Sequence, residues 1–129
     1  MKLDPKELLR IDKDNLDEEF TKQALNYYQV HELYAQCGKE MDFLAQRISI
    51  SEADEASDFR KDQLKAGGKA TALAIEHHLA HQPALMEMRR EQIELKNKRE
   101  TLQGLLRGLE HKKECLKSFA YSYGRNTIM

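Results

Sequence analysis

Leu95, Leu102, Leu109 and Leu116 recur at strict seven-residue steps in a stretch without proline. Seven residues are nearly two turns of α-helix, so this repeat places four leucines on one stripe about six turns long. Such a stripe has to be covered by another helix of the same chain or by a second copy of it. No segment shows the period-two alternation of a half-buried strand. The leucines therefore commit this part of the chain to a long helix with a partner.

The first half of the chain supplies a partner. From Asp17 onward Phe20, Tyr27, Tyr34, Met41 and Ile48 also recur every seven residues, and Asp17, Glu18 and Glu19 suit the positive end of a helix dipole. The interleaved Ala24, His31, Gly38 and Ala45 are mostly small, which lets a neighbouring helix approach closely. After Ile48 the phase is lost in SISEADEASDF, where Glu52, Asp54, Glu55 and Asp58 form a solvated acidic segment. The sequence leaves open whether the helix runs unbroken through it. Phe59 and Leu64 then resume apolar contact ahead of Gly67 and Gly68.

Lys65–Thr71, KAGGKAT, superficially resembles a phosphate-binding loop. That loop needs G-x-x-x-x-G-K-[ST] after an apolar strand. Here Gln63 stands in place of the first glycine, Ala70 in place of the hydroxyl, and no strand precedes them. The two glycines are read as a hinge. Thr71 is placed to cap a short helix, TALAIEHHLAH, and Pro83 suits the first turn of the next one. In that last helix the positions alternating with the leucines are Gln92, Arg99, Leu106, Lys113 and Ala120, so the second line is only half apolar. Gly104 and Gly108 lie inside it and are expected to admit a second helix, and the aromatic tail is expected to leave the helix at Gly124.

These patterns give an all-α fold, a long antiparallel helical hairpin resembling a coiled coil with a short inserted helix. A polar arm over 1–16 precedes one hairpin domain over 17–129, with helices at 17–66, 70–81 and 84–122. A lone hairpin would expose much of its seams, so a homo-oligomer is expected. Its contacts are expected at Leu95, Leu102, Leu109, Leu116, Phe119 and Tyr123. The 129 residues are 40% hydrophobic and 33% charged, with no Trp, and the mean hydropathy is −0.76. That balance favours thin helical layers over a thick core.

No run approaches the ~18 apolar residues of a membrane span, and the N-terminus lacks a signal-peptide core. Cys37 and Cys115 have neither CxxC nor metal-ligand spacing, so a reduced, cytoplasmic protein is expected. His77 and His81 are one helical turn apart. However, HHLAH lacks the glutamate of H-E-x-x-H and has no evident third ligand. Neither cysteine has a base at a recognisable spacing, and the carboxylates lie on charged helical faces. No enzyme, metal or cofactor is expected.

The near-neutral total hides an asymmetry. Residues 1–60 carry 8 basic and 14 acidic groups, whereas residues 61–129 carry 13 and 8. The cations nearest the hinge are Arg60, Lys61, Lys65 and Lys69, with Lys61 and Lys65 on one helical face and Phe59 alongside. Arg89 and Arg90 follow the short helix and can reach the same end of the hairpin. Cations that track a backbone beside an aromatic ring are what a single-stranded nucleic-acid groove uses.

The acidic first helix LDEEFTKQALNYYQVHELYA, the break GGKAT and the closing helix LKNKRETLQGLLRGLEHKKECL together resemble the UvsY-like phage recombination mediators. The resemblance covers about residues 16–120 in layout. It implies a small helical ring-former that binds single-stranded DNA. Such a protein helps load a recombinase onto strands coated by a single-strand-binding protein, in the host cytoplasm when phage-encoded. On this expectation single-stranded DNA meets Arg60, Lys61, Lys65, Lys69, Arg89 and Arg90. The alternative is a coiled-coil adaptor without a nucleic-acid role, whose acidic half binds a basic partner.

Overall fold

The computed structural model describes residues 3–128, with side chains up to residue 122. Helix α1 spans Pro5–Leu9, a 3-10 turn covers Lys13–Asn15, and α2 runs from Leu16 to Lys65. The short α3 is Ala72–Ala80 and α4 is Pro83–Ile128. The fold is all-α, with no strand among the described residues. None of its helices is long and apolar enough to cross a membrane. α2 continues unbroken through the acidic segment, and α4 passes through Gly124 to Ile128 instead of stopping there. Among the described glycines only Gly67 takes a positive φ, so Gly124 weakens the helix without turning the chain.

The contacts divide the chain into two compact units. One comprises residues up to Gln36 and from Arg99 onward; the other is Cys37–Lys98. In the first, α2 and α4 run antiparallel: Glu19 meets Lys112, Gln23 meets Leu109, and Tyr34 meets Arg99. Leu102, Leu105, Leu109, Leu116 and Val30 are buried there. Each fully buried leucine contributes about 1.5–3 kcal/mol. In the second unit Leu44, Ile48 and Leu85 form the core, flanked by Leu79, Met88 and Leu95, and Cys37 Sγ donates to the Leu95 carbonyl at 3.2 Å.

The leucine stripe is thus covered within its own chain, which corrects its assignment to contacts between copies. Leu109 and Leu116 are fully buried, Leu102 nearly so, and Leu95 joins the intrachain core. Phe119 is half-buried, with the Lys13 ammonium 4.9 Å from its ring centroid. The side chain of Tyr123 lies outside the described residues.

The second line of each seam also differs from expectation, by one residue in both helices. On α2 the buried line is Gln23, Val30, Cys37 and Leu44, while Ala24, His31 and Ala45 face solvent. On α4 Leu105 and Lys112 are buried where Leu106 and Lys113 were expected, leaving Leu106 half-buried and Lys113 exposed. The chains of both helices therefore step by three residues, then four, from the expected heptad line.

The N-terminal arm folds back onto α4. Asp4 caps α1 by accepting from the Lys6 amide, with Pro5 at the first helical position. A Cβ on Gly108 would lie 2.9 Å from Leu9 Cδ2, so this glycine makes room for the last residue of the short helix α1; Gly104 faces open space. Lys112 is only 4% exposed. Its Nζ lies 2.8 Å from Glu19 Oε2 and donates to the Leu8 carbonyl at 2.9 Å.

Removing one partner of a buried ion pair leaves the other charge uncompensated, so Lys112→Ala is expected to destabilise the protein by about 3 kcal/mol. The double replacement Glu19→Leu with Lys112→Met should recover most of that loss in urea denaturation. A Lys112→Ala chain of unchanged stability would show that the ammonium is hydrated in solution.

Candidate nucleic-acid interface

The hinge between α2 and α3 is built by backbone geometry. The Gly67 amide donates to the Leu64 carbonyl at 3.1 Å and the Gly68 amide to the Gln63 carbonyl at 2.9 Å. This crossed pair, with Gly67 at φ +81°, is the Schellman arrangement that closes a helix and satisfies its last carbonyls. Both glycine amides are therefore engaged by α2 and are not directed at an anion. Thr71 Oγ1 accepts from the Ala74 amide at 3.1 Å and starts α3.

Arg60, Lys61, Lys65 and Lys69 are all exposed at this end, and none enters an ion pair among the described residues. Lys61 and Lys65 are four residues apart and share a face; Arg60 is about 100° from Lys61. Asp54, Asp58 and Asp62 form a parallel exposed row on the same helix. The surface is thus a mixed one in which two lysines stand beside three carboxylates.

The cations of α4 behave differently. Arg89 is half-buried and donates from a guanidinium nitrogen to Glu52 Oε1 at 3.0 Å. It therefore meets α2 eight residues before Arg60, about 12 Å along the helix. Grouping Arg89 with the free cations of the hinge is corrected on this ground. Arg90, next in sequence, is exposed.

One face of the Phe59 ring is taken by His78, which stacks on it with centroids 4.6 Å apart. His78 Nε2 lies 3.3 Å from Glu55 Oε2. A hydrogen bond from Gln82, and then His78, holds the Glu55 carboxyl below its ordinary range. His77 and His81 stack on each other at 4.3 Å, and His81 Nδ1 lies 2.9 Å from the His77 carbonyl. His78 thus ties α3 to α2, while His77 and His81 meet each other at the end of α3. No group of three or more metal-ligating side chains occurs among the described residues.

Two contacts escaped the sequence reading. Cys115 Sγ lies 3.6 Å from His111 Nε2, a thiol–imidazole contact whose only signal was the i, i+4 spacing in HKKEC. The Glu55–His78 contact joins residues 23 apart and has no local signal. No protein-family model matches the chain, nor does any curated protein or solved structure.

An alanine Cβ at position 67 meets nothing within 4 Å, so the cost of Gly67→Ala is conformational alone, about 1 kcal/mol. A urea midpoint unchanged by this substitution would refute the left-handed geometry. Because the folded Glu55 pKa is lowered, its stabilisation is present above the ordinary value of 4.5 and is lost as pH falls through the folded value. Glu55→Gln should flatten the loss of stability that sets in as pH falls below the ordinary value of 4.5 in urea titrations. An unaltered slope would exclude this carboxyl as a contributor.

Proposed function

We propose that the protein is a non-enzymatic, single-stranded DNA-binding recombination mediator, with Arg60, Lys61, Lys65 and Lys69 neutralising the phosphate backbone. The observation that carries this reading is the state of those four side chains: all are exposed, at one end of one unit, and none is paired with a carboxylate among the described residues. Arg90 joins them, and Arg89 is assigned to the fold. The loading of a recombinase onto strands coated by a single-strand-binding protein comes from the layout shared with UvsY-like mediators.

Four cations engage few phosphates, so the proposal includes several copies of the chain, which multiply a weak patch. Contact between copies is not assigned to the leucine stripe, which the fold covers. A second reading, a helical adaptor without a nucleic-acid role, draws on Phe43, Ile50 and Leu64. Phe43 and Ile50 lie seven residues apart on α2 and Leu64 fourteen residues further on, and they are 63%, 63% and 69% exposed.

Fluorescence anisotropy of a labelled single-stranded oligonucleotide, titrated at several salt concentrations, tests the proposal. Each phosphate neutralised on a single strand contributes about −0.7 to the slope of log affinity against log salt, so four contacts give about −3 per copy. The double substitution Lys61→Glu, Lys65→Glu should weaken binding at least tenfold while leaving helicity and solution mass unchanged. Absence of binding at low salt would sink the mediator and leave the adaptor.

A further inference from the structure

The first unit contains a cleft of about 510 Å³ lined by Phe20, Gln23, Ala24, Tyr27, Glu110, Lys113 and Lys117. It exists because Ala24 faces solvent instead of the seam: a small side chain between two aromatic ones leaves a gap along α2. Phe20 and Tyr27 stand at either end of that gap, seven residues or about 10.5 Å apart. A planar ring resting on Ala24 has an aromatic side chain on each side. Tyr27 is fixed at one end by its hydroxyl, which donates to Glu110 Oε1 at 3.2 Å.

The polar groups are unevenly satisfied. Gln23 is 5% exposed, and its Nε2 donates to the Leu109 carbonyl at 2.6 Å. A carbonyl there accepts only from the amide nitrogen, so the orientation of the amide is fixed. Its Oε1 is buried without a protein partner. Such an acceptor is costly to leave unmatched and calls for an N–H or O–H donor. At the rim Lys113 makes no ion pair among the described residues, and Lys117 has only a 3.6 Å contact with Glu114. The cleft thus offers aromatic faces, one unmatched acceptor, two ammonium groups and the Glu110 carboxylate, which the Tyr27 hydroxyl engages.

We infer that this cleft holds one nucleotide, with the base over Ala24 between Phe20 and Tyr27, a base N–H donated to Gln23 Oε1, and the phosphate at Lys113 and Lys117. The choice of a nucleotide among ring-bearing anions rests on the strand-binding reading above. The same chemistry is presented by a free nucleotide and by one residue of a single strand. Base–aromatic stacking tolerates any base, and two lysines fit a phosphate without selecting a sequence.

The test is ¹H–¹⁵N NMR of the full chain titrated with dAMP or dTMP, and separately with a single-stranded oligonucleotide. The Gln23 and Ala24 backbone amides and the Gln23 side-chain NH₂ are expected to shift and saturate. Shifts with a mononucleotide identify a free nucleotide as sufficient; shifts with the oligonucleotide alone identify the strand. Ala24→Leu fills the cleft from an exposed helical position and should abolish these shifts. Lys113→Glu with Lys117→Glu, at two exposed positions, should weaken binding at least tenfold. No shift at these groups with either ligand overturns the inference. If the oligonucleotide binds through Lys61 and Lys65 while these groups stay still, the cleft fails and the mediator stands. If Ala24→Leu abolishes strand binding and Lys61→Glu, Lys65→Glu does not, the hinge assignment fails and the cleft stands.

Discussion

A lysine ammonium taken out of water must find oxygen, and Lys112 finds it on two separate segments of the chain. Several kcal/mol of desolvation are offset only while Glu19 of α2 and the Leu8 carbonyl of the arm are both in place. The leucines do not impose this. A slip of one heptad would still bury leucine against an apolar neighbour, but it would leave the ammonium and Glu19 unpaired. One turn along α2, the Gln23 amide bonded to the Leu109 carbonyl repeats the constraint. Within this unit the polar contacts set the register and the leucines supply the energy. The arm follows from the same contact: once Leu8 is held, Leu9 falls on Gly108, where a side chain would collide with it.

How far the sequence could be read is explained by where its two kinds of signal come from. The hinge was legible because each part is local chemistry: Gly67 for a positive φ, Thr71 for a cap, Pro83 for a first turn. The leucine and aromatic lines were legible because a seven-residue repeat is visible without knowing the partner. The second line of each seam was not, because seven can divide as three and four in either order. On α4 the neighbours Leu105–Leu106 and Lys112–Lys113 make the two orders chemically equivalent until a partner chooses. On α2 three apolar residues, Val30, Cys37 and Leu44, did favour the observed order. The polar Gln23 obscured it, and the small Ala24 and Gly38 suggested close helix approach instead. The same one-residue step moved Ala24 to the surface and opened the cleft, so the candidate site and the misread seam share one cause.

The charge asymmetry between the halves also resolves into contacts. In the second unit Glu52 engages Arg89 and Glu55 engages His78, so part of the acidic segment is matched by groups that follow it in the chain. What separates Arg89 from Lys61 is not residue type or position in the sequence but whether a facing helix presents a carboxylate. Arg60, Lys61, Lys65 and Lys69 are exposed, and among the described residues no carboxylate pairs with them. Which cations stay available is therefore a tertiary property, and neither a count of charges nor their order could have ranked them.

The exposed row Asp54, Asp58 and Asp62 limits what those four cations can do. Beyond a Debye length of about 8 Å at physiological salt, the lysines and carboxylates of such a mixed surface largely cancel. A polyanion is then attracted by close phosphate–ammonium contact, with little long-range steering. Contact of that kind is weak for one copy and steeply dependent on salt, whereas stacking on an aromatic side chain is not screened. A strand-binding protein with this surface consequently needs either repetition of the patch across copies or a second contact of a different physical kind. An aromatic-lined cleft with an unmatched amide oxygen is of that second kind, and its contribution would persist at salt concentrations that dissolve the first.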